Sequence, residues 1–231
     1  MNKLILCTGA ALALTLTPGL AQAAEPLTID VQASAGVSSD YIYRGVSQTM
    51  ENPQVYGAVD LAIGKIGYAG VWASNIDFGD GTDAEIDVYG GIRPKLGNVT
   101  FDLGLIYAAY LGQPEGTHGN FVEAKIAAST AFGAATLGAS INYSPEFYGK
   151  TGEAFYYEIT GSVPIAGTGL TIGGALGRQT VHKSPSYTTW NAGASYPLKK
   201  ITLDLRYYDT KGDKFGNISK ARVVAGAKLT F

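Results

Sequence analysis

Hydrophobic and polar residues alternate along most of this chain with a period of two. Residues 27–37 are the clearest case. Leu27, Ile29, Val31, Ala33, Ala35 and Val37 share one face, and Thr28, Asp30, Gln32, Ser34 and Gly36 share the other. Such alternation is the signature of a β-strand, and this one is long enough to cross a bilayer at a tilt. Residues 221–231 repeat the pattern: Ala221, Val223, Ala225, Ala227, Leu229 and Phe231 are all apolar, while the opposite face carries Arg222 and Lys228.

Between these two stretches the same periodicity predicts strands near 54–63, 68–78, 84–93, 99–110, 121–129, 135–143, 155–163, 170–177, 187–196 and 201–208. The Ala-rich region 124–139 has helical propensity. Yet Glu123, Lys125 and Ser129 alternate with Val122, Ala124, Ile126 and Ala128, which predicts a hairpin. The total is twelve strands, an even number. Connections after the even strands are short, as at 64–67, 94–98 and 197–200. Those after the odd strands are mostly longer and richer in Gly, Asp, Lys and Pro. This rhythm predicts an all-β fold, a transmembrane antiparallel up-and-down β-barrel with short periplasmic turns and longer extracellular loops. A soluble sandwich has no reason to keep it.

In such a barrel the apolar face meets lipid and the other meets a watery lumen. Strand parity then turns Asp30, Asp60, Glu85, Asp87, Asp102, Glu123, Glu158 and Asp204 inward, with Arg93, Lys125, Arg206, Arg222 and Lys228. Eight acids against five bases predict a mildly cation-preferring lumen. Outward aromatics cluster near strand ends, as an interfacial girdle does. Tyr107, Tyr143, Phe155, Tyr157 and Tyr207 would line the outer rim, and Phe101, Tyr196 and Phe231 the inner one. If the parity of the first strand continues past Val37, Tyr41 and Tyr43 join the outer girdle and Asp40 and Arg44 face the pore mouth. There Asp40 and Arg44 would either shape a constriction or form an intrabarrel salt bridge that orders the first loop.

Composition supports this picture. Glycine (31) and tyrosine (15) are abundant and charged residues make up only 16%, as expected where half the strand positions face lipid. Met1, Asn2 and Lys3 precede an apolar run at 4–16 and the small-x-small sequence Ala21-Gln22-Ala23, which predicts a cleaved signal peptide over 1–23 and a mature barrel over 24–231. Cys7 lies in that leader, so the mature chain has no disulfide, thiol chemistry or cysteine metal site. With Lys3 removed the formal charge of −2 becomes −3, which argues against a nucleic-acid partner. No mature segment is long and apolar enough for a membrane helix.

The stretch Ser38-Ser39-Asp40-Tyr41-Ile42-Tyr43-Arg44-Gly45-Val46-Ser47-Gln48-Thr49, with Tyr68-Ala69-Gly70-Val71-Trp72-Ala73-Ser74-Asn75 and Glu85-Ile86-Asp87-Val88-Tyr89, resembles a mostly uncharacterised proteobacterial porin family labelled TorF. The resemblance implies an outer-membrane barrel and a channel, and carries over no catalytic residue. A final strand ending in Phe231 likewise resembles the closing strand of bacterial outer-membrane barrels, which implies recognition by the barrel assembly machinery.

Little else points to chemistry. The acidic, Gly-rich loop 77–85 has carboxylates suited to Ca²⁺, but its spacing is that of an ordinary solvated turn. His118 and His182 are the only histidines, both fall in outer loops, and neither sits in a recognisable catalytic motif. The sequence therefore predicts a cofactor-free, non-enzymatic channel whose partners are membrane lipid and small hydrophilic solutes or ions. The alternatives are a closed structural or adhesive barrel and, further off, an outer-membrane enzyme using His118 or His182.

Overall fold

The computed structural model describes residues 27–212 and 215–231; the expected signal peptide lies outside them. Twelve long strands follow one another: β1 (Ile29–Ser38), β2 (Gln54–Ile63), β3 (Gly67–Asn75), β4 (Ala84–Ile92), β5 (Val99–Leu111), β6 (Phe121–Phe132), β7 (Ala135–Ser144), β8 (Ala154–Pro164), β9 (Thr171–Val181), β10 (Ser184–Leu198), β11 (Ile201–Lys211) and β12 (Arg222–Thr230). Each pairs antiparallel with its neighbours in sequence, and β12 returns to β1 with Ser34 opposite Thr230 and Ser38 opposite Gly226. The sheet is closed, so every ladder is satisfied without an exposed edge, as a strand structure in lipid requires.

Burial in this barrel is inside out. The side chains shielded by protein are largely polar, among them Gln54, Ser74, Glu85, Glu123, Gln179 and Thr189. The apolar outward residues are open, with Val31 67% and Ile126 62% exposed. A belt of this kind around the whole circumference suits lipid and not water. Much of the glycine content serves the inner face. A Cβ on Gly36, Gly70, Gly104 or Gly177 would collide with the rings or hydroxyls of Tyr56, Tyr89, Tyr68 and Tyr156 respectively, so each of these inward tyrosines lies across a glycine one or two strands away.

One end of the barrel carries the short connections 64–66, 93–98, 133–134, 165–170 and 199–200, and the other the longer ones. The exception is the tight turn 182–183. β9 and β10 run beyond the ends expected at 177 and 187, with a bulge between Gln179 and Val181. Arg178, Gln179 and Thr180 there, and the serines and threonines opposite, are too polar for apolar alternation to reveal a strand.

The first loop, L1 (residues 39–53), departs from the expected course. β1 ends at Ser38, and L1 turns into the lumen as a small hairpin pairing Ile42–Tyr43 with Val46–Ser47. Its two-residue turn has positive φ at Arg44 (48°) and Gly45 (82°), the backbone of a tight hairpin turn. Tyr41 and Tyr43 therefore do not belong to the outer girdle: Tyr41 packs on the inward ring of Trp72 with centroids 5.3 Å apart, and Tyr43 lies against Arg44. Strand parity does not carry past the last ladder pair, because hydrogen bonds to Asp40 redirect the chain inward.

Candidate functional site: the lumen and its first loop

L1 is fixed by hydrogen bonds and ion pairs to opposite parts of the wall. On the β12 side, Arg222 Nη1 donates to Asp40 Oδ2 (2.8 Å), while Ser47 Oγ (2.6 Å) and Thr49 Oγ1 (2.9 Å) donate to Asp40 Oδ1. Arg222 Nη2 also reaches Glu51 at 3.3 Å. On the β6 side, Arg44 Nη2 donates to both carboxylate oxygens of Glu123 (2.6 and 2.8 Å), and Arg44 Nη1 to Gln179 Oε1 of β9 (3.0 Å). The guanidinium lies 4.7 Å from the ring centroid of Tyr43 and 4.4 Å from that of Tyr156. Arg44 and Glu123 side chains are 7% and 4% exposed, which marks this pair as buried. Between these anchors Gly45 presses on β10 and β11. Its carbonyl accepts the Thr210 hydroxyl (2.9 Å), and a Cβ there would run into Thr189 and Thr210.

Asp40 and Arg44 are thus both near the long-loop end, but each pairs with the wall and not with the other. The hairpin divides the lumen. Toward the long loops lies an apolar vestibule of about 410 Å³, lined by Tyr43, Met50, Phe78, Tyr110, Phe121, Tyr148 and Tyr187. Its rings pack edge to face, Tyr110 on Tyr148 at 5.2 Å and Phe78 on Tyr148 at 5.5 Å. Toward the short turns lie two polar grooves. One, of about 370 Å³, is bounded by Asp40, Tyr56, Trp72, Asp204, Tyr208 and Lys228. The other, of about 440 Å³, is bounded by Arg44, Arg93, Asp102, Lys125, Asn142 and Glu158.

Several lumen charges cancel. Lys125 and Arg93 lie 2.8 and 3.8 Å from Asp102, and Arg206 bonds Asp204 and Asn191 at 3.1 and 2.9 Å. Others do not. Asp60 accepts from Tyr89 (2.5 Å), Glu85 from Tyr110 (2.8 Å) and Glu158 from Tyr156 (2.8 Å); none of the three has a cation partner among the described residues. Asp87 has none either, and Asp30 sits exposed at the short-turn end of β1. Lys228 is the cation left in this state among the described lumen residues. Glu85 Oε2, Asp87 Oδ1 and Asp102 Oδ1 are buried with no hydrogen-bond partner among the described residues.

The outer aromatics form contacts that sequence only suggested. Tyr143, Phe155 and Tyr157 follow one another at 4.8 and 5.9 Å, and Trp190 meets Tyr207 at 5.2 Å. Asn120 donates to the Tyr107 hydroxyl (3.1 Å). At the other end Phe231 is 63% exposed and its N–H bonds Ala33 of β1 (2.9 Å), Tyr196 is 39% exposed, and outward Phe101 is half-buried. The residues missed from sequence are the cradle of Arg44, namely Gln179, Tyr156 and Thr210. Parity alone turns them inward, but nothing local says that L1 will meet them.

Neither imidazole, His118 nor His182, hydrogen-bonds a hydroxyl or carboxylate among the described residues. Within loop 76–83, Asp77 and Asp80 accept the N–H groups of Gly79 and Thr82 (2.8 and 2.9 Å). The bond from the Thr82 N–H holds the Asp80 carboxyl below its usual pKa. Among the described residues no three His, Cys, Asp or Glu side chains gather so as to hold a metal ion.

Comparison with known proteins gives the same fold. A solved KdgM porin is similar over 87% of this chain and 99% of its own, at 10% identity and a TM-score of 0.60. An outer membrane channel from Pseudomonas putida F1 is similar over 94% of this chain and 99% of its own, at 11% identity and a TM-score of 0.54. A NanC porin is similar over 87% and 99%, at 9% identity and a TM-score of 0.51. No curated protein matches the chain. Residues 20–231 match the family described as "Bacterial protein of unknown function (Gcw_chp)", and the chain belongs to that family. That label differs from TorF.

Proposed function

We propose that this Gcw_chp-family barrel is an outer-membrane channel for passive diffusion of small hydrophilic solutes or ions, narrowed by L1. The observation that carries the reading is the lumen itself. It is a closed barrel with an apolar exterior, and its interior holds polar grooves that protein does not fill, lined by charged side chains such as Asp204 and Lys228 in one and Lys125 and Glu158 in the other. The porin fold of the solved structures supports it by analogy. The lumen acids without an ion pair, Asp60, Glu85, Asp87 and Glu158, outnumber the one such base, Lys228, and favour a modest cation preference. Diffusion down a gradient requires no cofactor. L1 then acts as a size filter: a solute must pass between the Arg44–Glu123 contact and the Asp40–Arg222 contact.

The burial of the Arg44–Glu123 pair favours a second reading, a barrel closed by L1. Swelling of proteoliposomes in sugars of graded size separates the two. A channel admits the smallest sugars and excludes larger ones with a sharp cut-off. Vesicles containing folded protein that swell no faster than empty ones would leave the closed barrel.

A further inference from the structure

The outward face of the barrel is almost free of charge. Parity and pairing place every Asp, Glu, Lys and Arg of β1–β8 and β12 on the inner face, and β10 has none of these. Charge on the lipid-facing side of the described strands is confined to Arg178 of β9 and to Asp209 and Lys211 of β11. These belong to one local patch. Arg178 pairs in register with Thr188, and Thr188 with Lys211. Arg178 Nη1 donates to Thr188 Oγ1 (3.0 Å), and both cations are exposed without an ion pair among the described residues.

The patch lies at the level of the aromatic girdle. Tyr157 is opposite Arg178, and Trp190 is opposite Asp209 and stacked near Tyr207. Lipid headgroups sit at that height. A single cation near a membrane interface is tolerated at little cost, so tolerance would account for scattered charges. It does not account for their confinement to the two strands that flank β10 while the outward faces of the other strands stay neutral. Directly above, on turn 182–183 and loop 145–153, Lys183 Nζ donates to the Lys150 carbonyl, adding two more cations. The nearby acids are Asp209, whose Oδ1 accepts the Thr210 N–H, Glu146, which accepts the Gly152 N–H at 2.7 Å, and Glu153, which accepts from Tyr143 at 3.3 Å, three against four cations. Positive charge is in excess.

We propose that this face of β9–β11 holds a phosphorylated lipid headgroup of the surrounding leaflet, with Arg178 and Lys211 as the phosphate ligands. Arg offers parallel N–H donors that match phosphate oxygens, and Lys a compact charge. The apolar strips below, with Leu176, Leu205 and Trp190, receive the acyl chains. A second copy of this chain is a poorer occupant, because a like patch would meet excess positive charge. The inference rests on the membrane-spanning fold and is independent of conduction.

Native mass spectrometry of the detergent-solubilised protein tests it, with bisphosphorylated lipid A as probe and the same lipid stripped of both phosphates as control. We expect the wild type to retain the phosphorylated form at least tenfold better than the stripped one. R178Q/K211Q, shown to be folded by heat-modifiable migration, should lose that preference, while R178K/K211R keeps it. Should the double glutamine variant not fold, K211Q alone should reduce retention several-fold. Equal retention of the two lipids, or no change in any glutamine variant, overturns the proposal. So does a wild-type oligomer that R178Q/K211Q dissociates, which would assign the patch to a second copy.

Discussion

Arg44 at the tip of the first loop and Glu123 near the top of β6 form a two-point contact across the lumen, with Nη2 2.6 and 2.8 Å from the two carboxylate oxygens. L1 starts from β1, so this contact spans the interior. It makes the loop a transverse element and not a rim ornament. Removing one partner of a buried ion pair strands the other, at a penalty of about 3–5 kcal/mol where water does not reach it. R44Q and E123Q should each loosen L1 and raise single-channel current and its noise. In R44Q/E123Q the two effects should be far from additive. Additive effects in this cycle would mean that the pair carries no coupling.

Gly45 is the second point of attachment. Its positive φ and its fit against Thr189 and Thr210 exclude a side chain. G45V should expel the hairpin from the lumen while leaving the barrel folded, since none of the twelve ladders depends on it. The expected readout is increased protease cleavage within 39–53 together with larger conductance. T210V should act more mildly, through the loss of one hydrogen bond worth about 1 kcal/mol.

Charge selectivity should follow the acids that lack an ion pair. Asp87 and Glu158 lie along the lumen without cation partners, and Lys228 without an acid. D87N and E158Q should each shift the reversal potential in a salt gradient toward anions by a few millivolts, and K228Q should shift it the other way. D102N should shift it toward anions at least as far, because it removes one negative charge and releases Lys125 and Arg93.

How much of this was legible in the sequence depended on the range of the interactions. Alternation is a local property, so Leu27 to Val37 and Val223 to Phe231 revealed strands, and twelve of them revealed a barrel. Inward parity found Glu123 and Arg222 for the same reason. Tyr41 and Tyr43 lie off the outer girdle because strand parity ends with β1, whose ladder stops at Ser38. The contacts that bend L1 inward join residues as distant as Arg44 and Gln179 or Asp40 and Arg222. Such pairings are set by barrel closure and leave no periodic trace. Arg178 and Lys211 lay in stretches too polar to be read as strands, so their outward face became visible only with the register.

The loop 76–83 should respond to acid. The bond from the Thr82 N–H lowers the Asp80 pKa, and a carboxyl whose pKa is lowered by folding favours the folded loop above its ordinary pKa. That contribution falls away as pH drops through the lowered value. The Thr82 amide resonance should therefore stay fixed at neutral pH and move in acid. In D80N the acid-dependent movement should disappear.

The central claim is that a water-filled path passes L1. It is tested most directly by single-channel recording of the folded, inserted protein beside a variant in which residues 42–47 are replaced by a short Gly-Ser turn. The account predicts small discrete steps for the wild type and steps several-fold larger for the variant. A silent wild type with a conducting variant would show that L1 closes the barrel. Identical conductance in the two would contradict the assignment of L1 as the constriction.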